Sequence, residues 1–296
     1  MINIFSPVWL AFFGFTAFSL MDVVNKFFFA TTQISFFNYV LWLDFAILFS
    51  VLSFVFISQG FSIKFLKTQR KKAILIRSIL SVLNTLASLL AISHLPLHMF
   101  YALAFMQPIF ATIFAFIFML EKIKIKKIML IFLAFLGMIL AVEFFNQESF
   151  IIPTLGLIGG LGIAITGALS GIIVKKYLPR ENILTITTYN ILLSIIVVSF
   201  ILVISQESLF IPNINIENSS DFLILFAGIL ACVGMIFFMK SYQKGAVQNI
   251  AIIQYSQIVI GIAFGYLIFK DIPSLYNILG ILIILIATLL NSQVKN

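Results

Sequence analysis

The sequence has very little charge for its length: charged residues make up 9% of its 296 residues, whereas 62% are hydrophobic. A soluble protein carries about a quarter charged residues, because its surface must face water. Apolar runs of roughly 18–24 residues follow one another, long enough to cross the ~30 Å hydrocarbon core of a bilayer as helices. The composition therefore excludes a soluble protein and predicts an all-α integral membrane protein.

Cysteine and histidine are also scarce. The one cysteine, Cys232, lies inside an apolar run, which excludes disulfides and cysteine-rich metal sites. The two histidines, His94 and His98, would need further ligands to hold a metal ion. The sequence has no glycine-rich phosphate loop, HExxH motif or GxSxG motif. We therefore expect no metal, no cofactor and no enzymatic activity.

About ten membrane spans are predicted from the apolar runs. They cover residues 8–26, 34–58, 73–93, 97–120, 126–144, 152–174, 184–205, 222–241, 246–269 and 274–291. An even number of spans places both termini on one side, and every lysine and arginine except Lys26 and Lys270 falls on that side. The positive-inside rule then predicts cytoplasmic termini. The net charge of +8 is thus a topology signal, and no nucleic-acid partner is expected.

The two halves of the chain align when the sequence is shifted by 150 residues. Matched pairs at this shift are Thr16 with Thr166, Lys26 with Lys176, Tyr39 with Tyr189, and Gln107 with Gln257. Each half holds an odd number of spans, so the second copy must enter the membrane from the opposite side. The sequence therefore predicts two inverted five-helix repeats, 1–145 and 151–296, the design by which many secondary transporters build a site near the bilayer midplane.

Polar side chains lie well inside several predicted spans, where hydrocarbon offers no hydrogen-bond partner. The candidates for a substrate-binding lining at the repeat interface are Asp44, Asn84, Gln107, Gln254, Tyr255 and Gln257. The alternative is that their amides and hydroxyls join neighbouring helices by hydrogen bonds.

Asp44 is a special case, because a carboxylate near the bilayer centre costs on the order of 2.5–3.5 kcal/mol on insertion scales. It is predicted to carry a coupling proton or to contact a cationic substrate. The competing interpretation is a buried ion pair with Arg77 or Lys26.

A second group of residues is predicted to be structural or to take part in gating. Pro108 kinks span four, and span nine has Gly261 and Gly265 in place of a proline. Glu121 and Asp271 end these two spans at equivalent positions of the two repeats.

Three charged residues near span ends complete this group. Asp22 and Lys26 are four residues apart near the outer end of span one, share a helix face and are predicted to form a structural pair. Arg77 lies one turn inside span three, where it either reaches the headgroups or takes part in gating or anion contact.

The stretch from Arg77 to Leu140 resembles the EamA domain of the drug/metabolite transporter superfamily. The resemblance rests on Arg77 opening span three, Pro96 at the following turn, Pro108 in span four, Glu121 ending it and Gly137 in span five. A second copy resembles the domain at Gln257, Gly265, Asp271 and Gly280, and the acid-then-lysine ending of span one at Asp22 and Lys26 is similar to the family's. The resemblance implies an inverted-repeat fold and secondary transport of small metabolites by alternating access.

One departure from the family bears on the substrate. Relatives often carry an arginine in span two, where this chain has Asp44. An electronegative cavity would suit an amino acid, an amine or a compound like S-adenosylmethionine. The alternatives are a flippase for a lipid-linked substrate and a drug or metabolite efflux permease. We expect the bacterial cytoplasmic membrane as the location, and a small-molecule substrate, the lipid bilayer, a coupling proton and a homodimer as partners.

Overall fold

The computed structural model describes residues 6–59, 63–95, 97–120, 124–144, 153–210, 220–270 and 272–294. Throughout these ranges the chain forms helices and no β-strands, which confirms the all-α prediction. The helices are α1 (Pro7–Thr31), α2 (Phe36–Gln59), α3 (Lys71–His94), α4 (Leu97–Ala104), α5 (Gln107–Met119), α6 (Ile125–Ala141), α7 (Thr154–Tyr177), α8 (Ile183–Ile204), α9 (Ser220–Lys244), α10 (Val247–Ile253), α11 (Ser256–Phe264) and α12 (Leu275–Gln293). A short 3₁₀ turn, Ile63–Leu66, precedes α3, and a π-helical turn, Gly265–Phe269, follows α11.

Nine segments of the described residues are long and apolar enough to cross a membrane. Two of them, Met99–Met119 and Val247–Ile268, each combine a pair of short helices, α4 with α5 and α10 with α11. The remaining predicted span, 126–144, corresponds to α6, whose 17 residues lie at the short end of the range for crossing a bilayer. The chain is therefore a multi-pass membrane protein, as its composition predicts.

Local sequence sets where several of these helices begin. Ser6 caps α1 by accepting a hydrogen bond from the backbone N–H of Trp9 at 3.4 Å, and Pro7 follows in the first turn. Asn182 caps α8 in the same way, accepting from Leu184 N–H at 2.9 Å. Ser274 and Asn277 form a reciprocal capping box at the start of α12. Polar residues between apolar runs thus mark where helices start.

The packing of the helices has a twofold pattern. α1 packs on α9, and α3 packs on α7. These two contacts are equivalent, because α1 and α7 are the first helices of the two repeats and α3 and α9 are the third. The contact of α2 with α9 corresponds to that of α8 with α3, and the contact of α5 with α7 to that of α11 with α1. α2 packs on its own equivalent, α8, and α6 packs on α12. Repeats related by a pseudo-twofold axis produce this reciprocal pattern.

The second helix of each repeat is held at its start by a segment from the other repeat. At the start of α2, the Ser35 hydroxyl donates to the Glu207 carboxylate at 2.6 Å, and the Trp42 indole donates to the Phe210 carbonyl at 2.6 Å. At the start of α8, the Tyr189 hydroxyl donates to the Leu66 carbonyl at 3.2 Å. The two repeats are therefore interlocked at both ends of the α2–α8 pair.

The α6–α12 pair crosses with backbone in contact with backbone. A Cβ atom added to Gly280 would lie 2.5 Å from the Ala141 nitrogen and 2.5 Å from the Gly137 carbonyl oxygen. Only a residue without a side chain fits here, and such close crossings are typical of membrane helices.

Candidate substrate site

Each of the two spans that consist of two short helices, Met99–Met119 and Val247–Ile268, has a break before its middle. The two breaks lie at equivalent positions of the two repeats. The breaks fall at Phe105–Met106 and at Gln254–Tyr255. At each break the chain forms bonds to the third residue back: Met106 N–H to the Leu103 carbonyl at 3.1 Å, and Gln254 N–H to the Ala251 carbonyl at 3.1 Å. Irregular backbone inside a bilayer is tolerated only where protein or a cavity surrounds it. The two breaks therefore belong to the interior of the protein.

The first break has a proline nearby and the second does not. Pro108 lies in the first turn of α5, where it has no N–H to donate, as the sequence predicts. In the second repeat, Gly261 lies within α11, and Gly265 begins the π-helical turn. The main break lies earlier in the chain than either glycine, at Gln254. A Cβ atom added to Gly261 would meet nothing within 4 Å, so this glycine faces open space.

Aromatic rings join the two breaks. Phe105 and Tyr255, which occupy equivalent positions of the two repeats, are stacked with ring centroids 6.3 Å apart and planes 25° apart. Tyr255 is completely buried, and its hydroxyl has no hydrogen-bond partner in the described part of the chain. The breaks thus meet at the pseudo-twofold axis.

The two glutamines each lie beside the first helix of the other repeat. The Gln107 amide lies against α7, because a Cβ atom on Gly167 would be 2.5 Å from its Oε1 atom. The backbone carbonyl of Gln257 accepts a hydrogen bond from the Ser19 hydroxyl of α1 at 3.2 Å. Both glutamines are only half-buried. The two glutamines therefore lie at equivalent positions of the repeat interface, and part of each side chain is accessible.

Asn84 is half-buried, like Gln107 and Gln257, whereas Gln254 is buried. The Asn84 amide donates to the Ile163 carbonyl at 2.9 Å and to the Thr166 hydroxyl at 2.8 Å, so it joins α3 to α7. Gln254 is buried, and its Oε1 atom accepts no hydrogen bond from the described residues. Hydrogen bonds of this kind join neighbouring membrane helices, as the alternative interpretation of Asn84 expects.

Asp44 lies between α2 and α8. Its side chain is 6% exposed and lies beside Ser194, the residue at the equivalent position of the second repeat. Its Oδ2 atom has no hydrogen-bond partner among the residues that the structure describes, and neither have Nε and Nη1 of Arg77. These atoms therefore do not form the Asp44–Arg77 ion pair that was one interpretation of the sequence.

Asp22 lies in a different environment. Its side chain is accessible, although many protein atoms lie around it. Both observations hold for a side chain that lines an internal space open to water. Lys26, one turn further along α1, is exposed as well.

Two polar residues of the interior were not predicted from the sequence, and two predicted residues cannot be placed. Lys127, which the sequence suggested only as a topology signal, is 1% exposed and donates to the Asn249 side chain at 2.8 Å. Ser194 was also missed, although it stands 150 residues after Asp44. Glu121 and Asp271 lie outside the described residues.

The fold and these elements are typical of one class of protein: membrane transporters built from two inverted repeats with broken helices at their interface. A family model of the EamA-like transporter family matches residues 154–293. Residues 154–293 therefore resemble EamA-like transporters, which belong to the drug/metabolite transporter superfamily.

Individual relatives agree with this assignment. The chain is 24% identical over 231 residues to the pseudopaline exporter CntI of Pseudomonas aeruginosa strain UCBPP-PA14, with 78% of each chain covered. It is 28% identical over 198 residues to the mouse (Mus musculus) solute carrier family 35 member G1, covering 63% of this chain and 52% of that protein. A solved crystal structure superposes with a TM-score of 0.80 over 98% of this chain and 99% of its own, at 13% identity, which shows a shared fold.

Proposed function

We propose that the protein is a secondary active transporter that moves a small metabolite across the bacterial cytoplasmic membrane by alternating access. The observation that carries the proposal is the pair of equivalent helix breaks, which meet at Phe105 and Tyr255. Next to them, Gln107 and Gln257 each lie beside the first helix of the other repeat. Two halves with equivalent packing can exchange conformations, which turns an outward-open site into an inward-open one.

The site suits a polar or cationic metabolite such as an amino acid, an amine or a compound like S-adenosylmethionine. The half-buried amides of Gln107 and Gln257 offer donors and acceptors, and the carboxylates Asp22 and Asp44 offer negative charge within the spans. Asp44 lies at the axis with one free oxygen, where it can take up a coupling proton. Both repeats of one chain build this site, so the predicted homodimer is not needed for it.

The test is counterflow in proteoliposomes loaded with amino acids, polyamines, nucleosides or S-adenosylmethionine. A transporter exchanges labelled for unlabelled substrate without any gradient, and we expect exchange for one chemical class. Exchange of none of the compounds, together with movement of labelled lipid between leaflets, would instead establish the flippase alternative.

A second candidate, efflux of a drug or metabolite, is favoured by the names of two relatives, both described as pseudopaline exporters. The direction can be measured by comparing whole cells with inside-out vesicles from the same cells. Gradient-driven accumulation only in inside-out vesicles would establish export, whereas accumulation only in cells would establish uptake. The same vesicles, treated with protease, would show whether the termini are cytoplasmic as the positive-inside rule predicts.

A further inference from the structure

Asp22 is a carboxylate in the interior of the helix bundle that is exposed and yet enclosed by protein. Asp44, by contrast, is buried against Ser194 in the α2–α8 contact. A ligand that enters from water can reach the first carboxylate directly, and it can reach the second only if α2 and α8 separate. This difference distinguishes two acids that look alike in the sequence.

Hydrogen bonds on either side of Asp22 fix the direction in which it faces. One turn before it, the Ser19 hydroxyl bonds to the Gln257 carbonyl of α11 at 3.2 Å. One turn after it, Asn25 accepts a hydrogen bond from the hydroxyl of Tyr39 in α2. Residues three apart lie on neighbouring parts of one helix face. Asp22 therefore faces the gap between α11 and α2, beside the carbonyl of a substrate-site glutamine.

Aromatic rings line the same gap. Tyr39 reaches this part of α1, because its hydroxyl donates to Asn25, and Tyr101 lies within electrostatic range of Asp22. Tyr101 contacts Phe105 with centroids 6.2 Å apart, and Phe105 stacks on Tyr255. The aromatic row therefore runs from Asp22 to the helix breaks. A carboxylate beside aromatic faces is a favourable setting for an organic cation, through charge and cation–π attraction.

We propose that Asp22, with Tyr39 and Tyr101, binds the cationic group of the transported metabolite, an ammonium, guanidinium or sulfonium. The proposal rests on the proposed transport function and names the substrate class for the same site. It reassigns cation recognition from Asp44 to Asp22, and it gives Asp22 a binding role in addition to any pairing with Lys26.

Cysteine labelling tests this proposal without knowledge of the substrate. Tyr101→Cys in a Cys232→Ala background serves as the reporter, and the purified protein reacts with a cationic or an anionic methanethiosulfonate reagent at low salt. The ratio of the two rates measures the local potential. We expect the cationic reagent to react faster, and Asp22→Asn to lower the ratio about fivefold or more, as loss of a nearby charge requires. Asp44→Asn, the matched control, should leave the ratio unchanged.

An unchanged ratio in Asp22→Asn, or a fall in Asp44→Asn alone, would overturn the proposal. If the Tyr101→Cys protein does not fold, Phe29→Cys replaces it, because Phe29 is exposed and lies two turns after Asp22 on the same helix face. The labelling result does not depend on transport, so it stays separate from the counterflow test. If counterflow is observed and the ratio of labelling rates is unchanged in Asp22→Asn, the proposed transport function stands and only the cation site is ruled out.

Discussion

Asp44 of α2 and Ser194 of α8 lie beside each other, and they occupy equivalent positions of the two repeats. A contact between equivalent residues marks a pseudo-twofold axis, and the stacked pair Phe105 and Tyr255 marks it a second time. In the proposed alternating-access cycle, a group on this axis contacts both halves throughout. We therefore expect Asp44 to carry a coupling proton rather than to select the substrate.

Replacement of Asp44 by asparagine should uncouple transport from the proton gradient. Asparagine has nearly the same shape as aspartate but cannot bind and release a proton, so we expect a melting temperature within about 2 °C of the wild type. Gradient-driven accumulation in proteoliposomes should fall about tenfold or more, while counterflow continues. Ser194→Ala is the control: it removes the hydroxyl beside Asp44, at about 0.5–1.5 kcal/mol of stability, and keeps the gradient dependence. Accumulation by Asp44→Asn that still collapses with the gradient would rule out proton coupling at this residue.

A methyl group on Gly167 should weaken substrate binding by moving the Gln107 amide. The new Cβ atom would lie 2.5 Å from Oε1 and 2.7 Å from Cδ of Gln107, so the side chain must shift. We expect the KM for counterflow to rise about tenfold, as in Gln107→Ala, which corresponds to about 1.4 kcal/mol. Gly162→Ala is the matched control on the same helix, because its Cβ would approach the Ala87 side chain and not the site. Equal KM values in Gly167→Ala, Gln107→Ala and the wild type would show that Gln107 only packs.

The sequence predicted the positions of the spans well and the direction of the polar side chains poorly. Span positions follow from apolar run length, and the break near Gln107 follows from Pro108, whereas no proline or glycine marks the break at Gln254–Tyr255. The helix faces on which Asp22 and Asp44 lie cannot be predicted in this way, because lipid and neighbouring helices are equally apolar and leave no stripe that marks the interior. Asp44 was judged by its position within span two and Asp22 by its spacing from Lys26, and neither criterion gives the surroundings of the side chain. The burial of Lys127 was missed for a related reason: a basic residue near a span end looks the same whether it faces headgroups or protein.

Substitution of Gly280 by valine should destabilise the protein, because α6 and α12 cross at this residue. Any Cβ atom there meets backbone atoms of Ala141 and Gly137 at 2.5 Å, and backbone cannot move aside as a flexible side chain can. Overpacking of this kind costs typically about 1–3 kcal/mol. The measurement is thermal unfolding in detergent, followed by the loss of monodisperse protein on size-exclusion chromatography. A Gly280→Val protein as stable as the wild type would show that this crossing is looser than the structure describes.

Gly261 provides the opposite case, in which a glycine has room for a side chain. A Cβ atom on it meets nothing within 4 Å, and it lies inside α11, so Gly261→Ala should keep or raise stability by up to about 1 kcal/mol through helix propensity. If α11 bends here during transport, the same change stiffens the helix and should slow counterflow while the KM stays constant. Slower turnover in a protein that melts no earlier would therefore establish a hinge at Gly261. Unchanged turnover would place the bending at the Gln254–Tyr255 break, where the structure already has one.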